Sequence, residues 1–410
     1  MKNNLPPKKS IVIFGAGKIG RSFVGQLFSR SGYNVIFIDV DQRIINELNL
    51  RKKYTVVIKS AKDEMLEVTN VSGIYAYEME SVIRAIADCS LMATCVGKNA
   101  LPKILPLISQ GLEKRFTERP HFPLDIILAE NIRDACTLVK EGLKILLDKG
   151  FPLDTYVGLI ETSIGKMVPI MHKQIEEKDP LLVFAEPYNT LILDKNGFKN
   201  TIPNVFGLSP KENIKAWVDR KAFIHNLGHA AAAYFGYFKF PNRKYLNEVL
   251  DDPEVCSFVR EAMSQSAIAL AAEYPGIFTS QDLNEHIEDL ICRFKNKALG
   301  DTVFRIGSDL KRKLSENDRV VGAINLARIH KCDYDKLIDV LAFGLLFRAK
   351  DESEAMFWED LEFIKRLETD VKSVLETDCG FGSQAYKGLV SKIMIKYRTL
   401  RELSLATLTS

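Results

Sequence analysis

Short apolar runs alternate with helical periodicity through the first half of the chain. Ser10–Phe14 is a short apolar run of strand length, fit for a strand buried on both faces. A glycine-rich turn follows, then a helical pattern to about Arg30, where Gly32 supplies a stop. Asn34–Asp39 reads as the second strand, and Asp41 as the cap of a helix running to about Leu50. Tyr54–Lys59 and Glu64–Val71 read as an inserted β-pair with Asp63 near the turn. The alternation then resumes: helix Val82–Ala87, strand Leu91–Thr94, helix Leu101–Lys114, strand Leu124–Leu128, helix Arg133–Asp148, strand Tyr156–Ile160. Leu181–Phe184 and Thr190–Leu193 read as a late β-pair, with turn residues at Asp194–Gly197. Such alternation predicts a mostly parallel, doubly wound sheet.

Beyond Pro203 the period changes. Apolar residues recur at three and four over Ile214–Phe235, Val255–Glu273, Leu283–Phe294, Val321–Ala327 and Tyr334–Phe347. Strand-like alternation almost vanishes, so residues 204–410 are expected to form an all-helical domain behind an α/β domain at 1–203. The length of 410 residues agrees with two domains.

Composition adds exclusions. Apolar residues make up 46% of the chain and charged residues 27%, as in ordinary globular proteins. Net charge is +3, from 56 basic against 53 acidic side chains, so neither nucleic acid nor a membrane surface is expected as a partner. No run approaches the ~18 apolar residues of a membrane span, and the first ten residues lack the apolar centre of a secretory signal. Seven dispersed cysteines without a C-x-x-C pair read as reduced thiols, mostly small buried residues, in a cytoplasmic protein.

The first candidate chemistry lies in Gly15-Ala-Gly17-Lys-Ile-Gly20. Gly15 permits the tight turn off the strand, Gly17 lets backbone approach a pyrophosphate, and Gly20 allows close helix–strand contact. The helix N-terminus beyond offers N–H groups and partial positive charge to phosphates. The context, strand then loop then helix with Asp39 ending the next strand, is what a dinucleotide fingerprint requires. The domain is therefore expected to be Rossmann-type. Asp39 can accept from a ribose 2′-hydroxyl and would repel a 2′-phosphate, which favours NAD over NADP. Ala16 and Ile19 within the loop, and Gly97 where the Leu91–Thr94 strand ends, complete the expected cofactor set. Arg21 could add a phosphate contact or be a surface arginine. Flavin proteins share the fingerprint, but no second flavin signal stands out.

The second lies in Lys221-Ala-Phe-Ile-His-Asn226-Leu-Gly-His229. On a regular helix Asn226 would lie about 140° around from Lys221, with His229 between them at about 80°. All three could then face one cleft. Oxidising an alcohol needs a base for the hydroxyl proton, donors for the alkoxide-like oxygen and a hydride acceptor. Lys221 can be that base only if burial and neighbouring charge bring its pKa from ~10.4 towards 7–8. The alternatives are a solvated lysine and a core histidine. Gly228 and Ala230–Ala233 would permit close approach of a backbone or cofactor, or simply tight helix packing. His225 and His229, at i and i+4, also have a zinc-binding spacing. Asn226 stands where zinc peptidases place glutamate, and no further ligand cluster is evident, so no metal is expected.

Together these residues resemble the polyol-specific long-chain dehydrogenases/reductases. The resemblance covers nearly the whole chain. It rests on Phe14–Arg21, Ala129-Glu-Asn131, Pro203-Asn204, Asp219-Arg-Lys221, Asn226-x-Gly-His229, Arg293-Phe-x-Asn296 and Arg312-Lys-Leu314. Within that family the branch acting on mannitol 1-phosphate is the most similar.

The resemblance implies NAD-linked, metal-free interconversion of mannitol 1-phosphate and fructose 6-phosphate. It implies Lys221 as general base, Asn226 and Asn131 as amides steadying the reacting oxygen, and His229 as a substrate-orienting imidazole. Asn131 could equally cap the helix that follows it. Lys166, Arg305, Arg312 and Lys313 are candidate phosphate contacts. Two departures bear on the far end of the substrate: Gly165-Lys166-Met167 where many members carry Asp-Arg, and Ser308-Asp309-Leu310 after Arg305-Ile-Gly307 where many carry Arg-Asp-Pro. An unphosphorylated polyol or a hexonate such as altronate is the alternative substrate, and a binding protein that holds NAD without turnover is the alternative class. The working form is expected to be a monomer or small homo-oligomer.

Overall fold

The computed structural model describes residues 9–60, 62–130, 132–171 and 173–408. These fall into two compact units, one ending at Val218 and one beginning at Asp219.

The first unit is built on eleven strands: β1 (Ser10–Phe14), β2 (Asn34–Asp39), β3 (Tyr54–Ile58), β4 (Glu64–Val68), β5 (Val71–Tyr75), β6 (Leu91–Thr94), β7 (Leu124–Leu128), β8 (Val157–Ser163), β9 (Val183–Ala185), β10 (Leu191–Asp194) and β11 (Leu208–Lys211). Eight of them form one sheet in the order β11-β10-β8-β7-β6-β1-β2-β5. From β5 to β8 the pairing is parallel throughout. Counted by appearance in the sheet, that stretch reads 3-2-1-4-5-6, the doubly wound dinucleotide-binding order, with its reversal between β1 and β6. Hydrophobic clusters fill both faces, one around Phe23, Phe28 and Phe37, the other around Ile86, Leu105 and Ile126. Burial on two sides is why the strands read as continuous apolar runs.

Several local expectations need correcting. Glu64–Val71 is not one strand: Asn70, at φ 54°, turns the chain, and Val71–Tyr75 leaves β4 to pair with β2. The late β-pair does not exist. Strand β9 pairs parallel with β3 in a separate three-stranded sheet, whereas β10 pairs antiparallel with β8. Strand β11 lies beyond Pro203, within a stretch read as helical, and pairs parallel with β10. For β9 and β10 the apolar segments were legible and only their partners, set by sheet edges elsewhere in the chain, were not; β5 and β11, of sequence VSGIY and LSPK, carry no continuous apolar run.

The described residues of the second unit contain helices and no strand. Helix Leu227–Lys239 runs through its centre, packed against Pro253–Glu273, Val303–Gly307 and Asp335–Leu345. Ala230–Ala233 are all fully buried there, and a Cβ on Gly228 would meet Met263 and Phe294. The run of small residues is thus consumed by helix–helix packing, the plainer of its two readings. Further helices at Trp358–Thr369, Val371–Thr377 and Lys387–Leu408 complete the unit.

Candidate active site

The nucleotide loop leaves β1 at the point where strand order reverses, the place where such sheets bind ligands. Gly15 has φ +99°, and a Cβ there would lie 2.5 Å from the carbonyl oxygen of Cys95. A Cβ on Gly20 would lie 2.0 Å from the carbonyl oxygen of Gly15. Glycine is thus obligatory at both positions. Gly17 has nothing within 4 Å of a notional Cβ, the open approach a pyrophosphate needs. Ala16 donates its N–H to Asp39 Oδ2 at 2.6 Å, and Asp41 donates to Oδ1 at 2.9 Å. Asp39 therefore holds the loop while retaining acceptor capacity for a hydroxyl. Ile19 begins the helix and packs on the sheet core. Gly97, at φ +82°, accepts from Ala100 and Leu101 and has open space at its Cα. This geometry fits a dinucleotide.

Arg21 does not face that space. It is buried, donating Nε to the Ala16 carbonyl and an Nη to the Pro180 carbonyl, both at 2.6 Å. It braces the loop from behind, and burial lowers its pKa from the usual guanidinium value. Glu130 is a residue that sequence reasoning passed over. Its carboxylate accepts from Thr94 Oγ1 at 2.7 Å and from the Val96 N–H at 3.1 Å, fixing the turn after β6. Burial raises its pKa above the usual carboxylate range. Its signal was a glutamate inside an apolar strand end. Asn131, beside it, lies outside the described residues; the helix that follows begins at Ala135.

The lysine segment belongs to the second unit and is not a regular α-helix. Residues Lys221–Asn226 form a π turn between α-helical Ile214–Arg220 and Leu227–Lys239. The i→i+5 bonding widens the turn, so angles computed for a uniform 3.6-residue period do not hold across it. Such turns recur at functional sites. Burial brings the pKa of Lys221 from 10.5 to about 7, aided by repulsion from Arg319 and then Arg312, with Asp318 opposing. Asn226, the last residue of the turn, is half-buried.

His229 is buried and stacks on Phe294 with ring centroids 3.9 Å apart. Burial, then repulsion from Arg319, Arg305, Arg293 and Lys313, holds its pKa well below the usual imidazole range. Its Nε2 has no hydrogen-bond partner among the described residues. His225 packs edge-on to His229 at 5.0 Å and is likewise depressed, by burial and then by His229. Among the described residues no group of three His, Cys, Asp or Glu is arranged to hold a metal ion. Arg319, absent from the sequence-derived set, is a further residue of this neighbourhood. Its only sequence signal was an Asp-Arg pair among many charges.

Residues 9–207 match the model of the mannitol dehydrogenase Rossmann domain, and residues 213–400 that of the mannitol dehydrogenase C-terminal domain. The mannitol-1-phosphate 5-dehydrogenase of Lactococcus lactis subsp. lactis (strain IL1403) is 31% identical over 95% of this chain and 100% of that protein. The enzyme of the same name from Buchnera aphidicola subsp. Schizaphis graminum (strain Sg) is 33% identical over 82% of this chain and 86% of its own. Among solved structures, Pseudomonas fluorescens mannitol 2-dehydrogenase in a ternary complex with NAD and D-mannitol aligns with TM-score 0.75 at 17% identity, over 98% of this chain and 93% of that one. A D-sorbitol dehydrogenase in substrate-free form aligns with TM-score 0.76 at 16% identity, over 97% and 94%. These two show the likeness of fold. With a relative above 30% identity matched end to end, and with both halves of the chain matched by their models, this protein is a member of the mannitol dehydrogenase family.

Proposed function

We propose that the protein is an NAD-dependent mannitol-1-phosphate 5-dehydrogenase, interconverting mannitol 1-phosphate and fructose 6-phosphate. The observation that carries the reading is the half-buried Lys221 in its π turn, whose amine is desolvated enough to bring its pKa down to about 7. NAD, when bound, supplies the hydride acceptor. Gly15, Ala16, Gly17, Ile19, Gly20 and Gly97 shape its place, and Asp39 takes the ribose hydroxyl. In oxidation the neutral Lys221 amine accepts the substrate hydroxyl proton while the Asn226 and Asn131 amides donate to the developing oxyanion. In reduction the ammonium returns that proton. His229, kept neutral by burial and surrounding cations, presents one N–H and one lone pair and orients hydroxyls without adding charge.

No metal has a part in this scheme, and neither nucleic acid nor a membrane is a partner. No helix among the described residues is long and apolar enough to cross a membrane. All seven cysteines are unpaired, which fits a reducing cytoplasm. The working form is taken as a monomer or small homo-oligomer.

The test is a panel of polyols, their phosphates, hexonates and the matching ketoses, followed by nicotinamide absorbance. Fructose 6-phosphate should be reduced with NADH far more efficiently than fructose or tagaturonate. Equal efficiency with fructose would refute the phosphorylated substrate.

A further inference from the structure

The structure sorts the four cations that the sequence offers for a phosphate. Lys166 directs its ammonium at the carbonyls of Glu186 and Tyr188 and at Asn189 Oδ1, at 3.0, 2.7 and 3.2 Å, so its three donors have protein partners. Arg305 is paired with Asp301, and Arg312 with Asp309 and Asp318. Lys313 differs. It is 6% exposed, and its one ammonium hydrogen bond among the described residues goes to the Ile306 carbonyl at 2.7 Å. Two of its three donors remain for something else. Arg319, 8% exposed, is in the same condition: Nε meets Asp318 Oδ1 at 2.8 Å, and the outer fork of the guanidinium has no partner among the described residues.

These two cations share the neighbourhood of the lysine turn. A Cβ on Gly322 would lie 2.6 Å from the ring of Phe223, so the helix that begins at Val321, just after Arg319, packs on Lys221–Asn226, and Arg319 acts electrostatically on Lys221. Both act electrostatically on His229, whose Nε2 is buried without a partner among the described residues. Pairing the nearby arginines with their carboxylates leaves Arg319 with Asp318, for which Arg312 competes, and Lys313 with the attraction of Asp360, a carboxylate already occupied by the Asp309 and Leu310 N–H groups and, among the described residues, in no ion pair with it. Buried cations without matching anions are costly, and a ligand that supplies the missing charge removes the cost.

We propose that Lys313 and Arg319 form the anion subsite of the lysine site and hold the phosphate of the polyol phosphate; this assignment rests on the substrate reading above. Arg319 offers a planar fork to two phosphate oxygens, and Lys313 a point charge to a third.

The test uses the whole chain with Lys313→Met, Arg319→Met and Arg319→Lys. Each methionine variant should lower kcat/KM for fructose 6-phosphate by about 10- to 100-fold more than for fructose. Arg319→Lys should recover part of that loss. Inorganic phosphate, binding to wild type in calorimetry, should bind both methionine variants more weakly. A purely structural role would reduce both ketoses alike and leave phosphate binding intact, which would overturn the assignment. An unchanged far-UV circular dichroism spectrum and unfolding midpoint certify folding, and Lys313→Met stands independently should Arg319→Met fail to fold. If wild type does not distinguish the two ketoses, the substrate reading fails. The subsite then stands or falls on whether inorganic phosphate binds wild type and is lost in the variants.

Discussion

A lysine becomes a useful base near neutral pH only when its charged form is penalised, and Lys221 is penalised by burial first and by Arg319 second. The proposed mechanism requires the neutral amine for oxidation and the ammonium for reduction. The rate of oxidation should therefore rise with pH through about 7, and that of reduction should fall through the same region, in kcat/KM profiles. Lys221→Ala should lower kcat by roughly 10²–10⁴ while NADH affinity, followed by fluorescence, survives. The same depressed pKa has a cost in stability. Below about 7 both folded and unfolded states hold the proton, and the burial penalty is fully present; between about 7 and 10.5 the unfolded state holds more protons, so stability rises with pH. Lys221→Met should accordingly be more stable than wild type at pH 6, on the order of a few kcal/mol. That gap should close as pH approaches 10.5, as read from denaturant midpoints. Loss of the gap's pH dependence would mean the amine is not buried as a cation. On the cofactor side, Asp39→Ser should raise the NADP-to-NAD ratio of kcat/KM. It should also weaken NAD itself, because the carboxylate holds the Ala16 N–H.

At the scale of elements, each of the two proposed site segments is followed by or contains a π turn: Gly20–Gly25 behind the nucleotide loop, and Lys221–Asn226. Each is followed directly by an α-helix, so neither breaks the hydrophobic period enough to be seen in sequence. This is why helical patterning located both segments yet misjudged the angular relation of Lys221, Asn226 and His229. The first turn is sterically closed. Gly20→Ala would drive a methyl into backbone, the Gly15 carbonyl oxygen, which cannot rotate away. It should cost about 1–3 kcal/mol in chemical denaturation, together with a loss of NADH affinity. Gly17→Ala, with open space around it, should spare stability and weaken only the cofactor. Comparing the two variants separates the packing role of the third glycine from the ligand role of the second. Equal destabilisation by both would contradict this division.

Across the whole molecule, the glycine loop lies in the first compact unit and the lysine turn in the second. NAD at 100 times its Kd should raise stability by about 2.7 kcal/mol where its site is intact. The new hydrogen-exchange protection should centre on the Gly15–Gly20 loop, Asp39 and the turn at Gly97. Protection confined to the second unit would dissociate the loop from cofactor binding.

Amino-acid order alone was enough for the alternation of strands with helices, the glycine loop, the acid at Asp39, the helical second half and the lysine motif. All of these are local: they depend on periodicity, turn chemistry and short spacings, which each segment carries in itself. Tertiary structure decided the rest. Which strand β5, β9, β10 and β11 would join depended on edges contributed from distant positions. Arg21 and Lys166 became internal braces because carbonyls of residues 159, 20 and 22 positions away converge on them. Arg319 comes near Lys221 because the helix just after it packs on Phe223. A pKa near 7 for Lys221, likewise, is a property of burial and of cations brought from elsewhere in the chain. Desolvation and Coulomb forces act through space, and only the folded chain sets those separations.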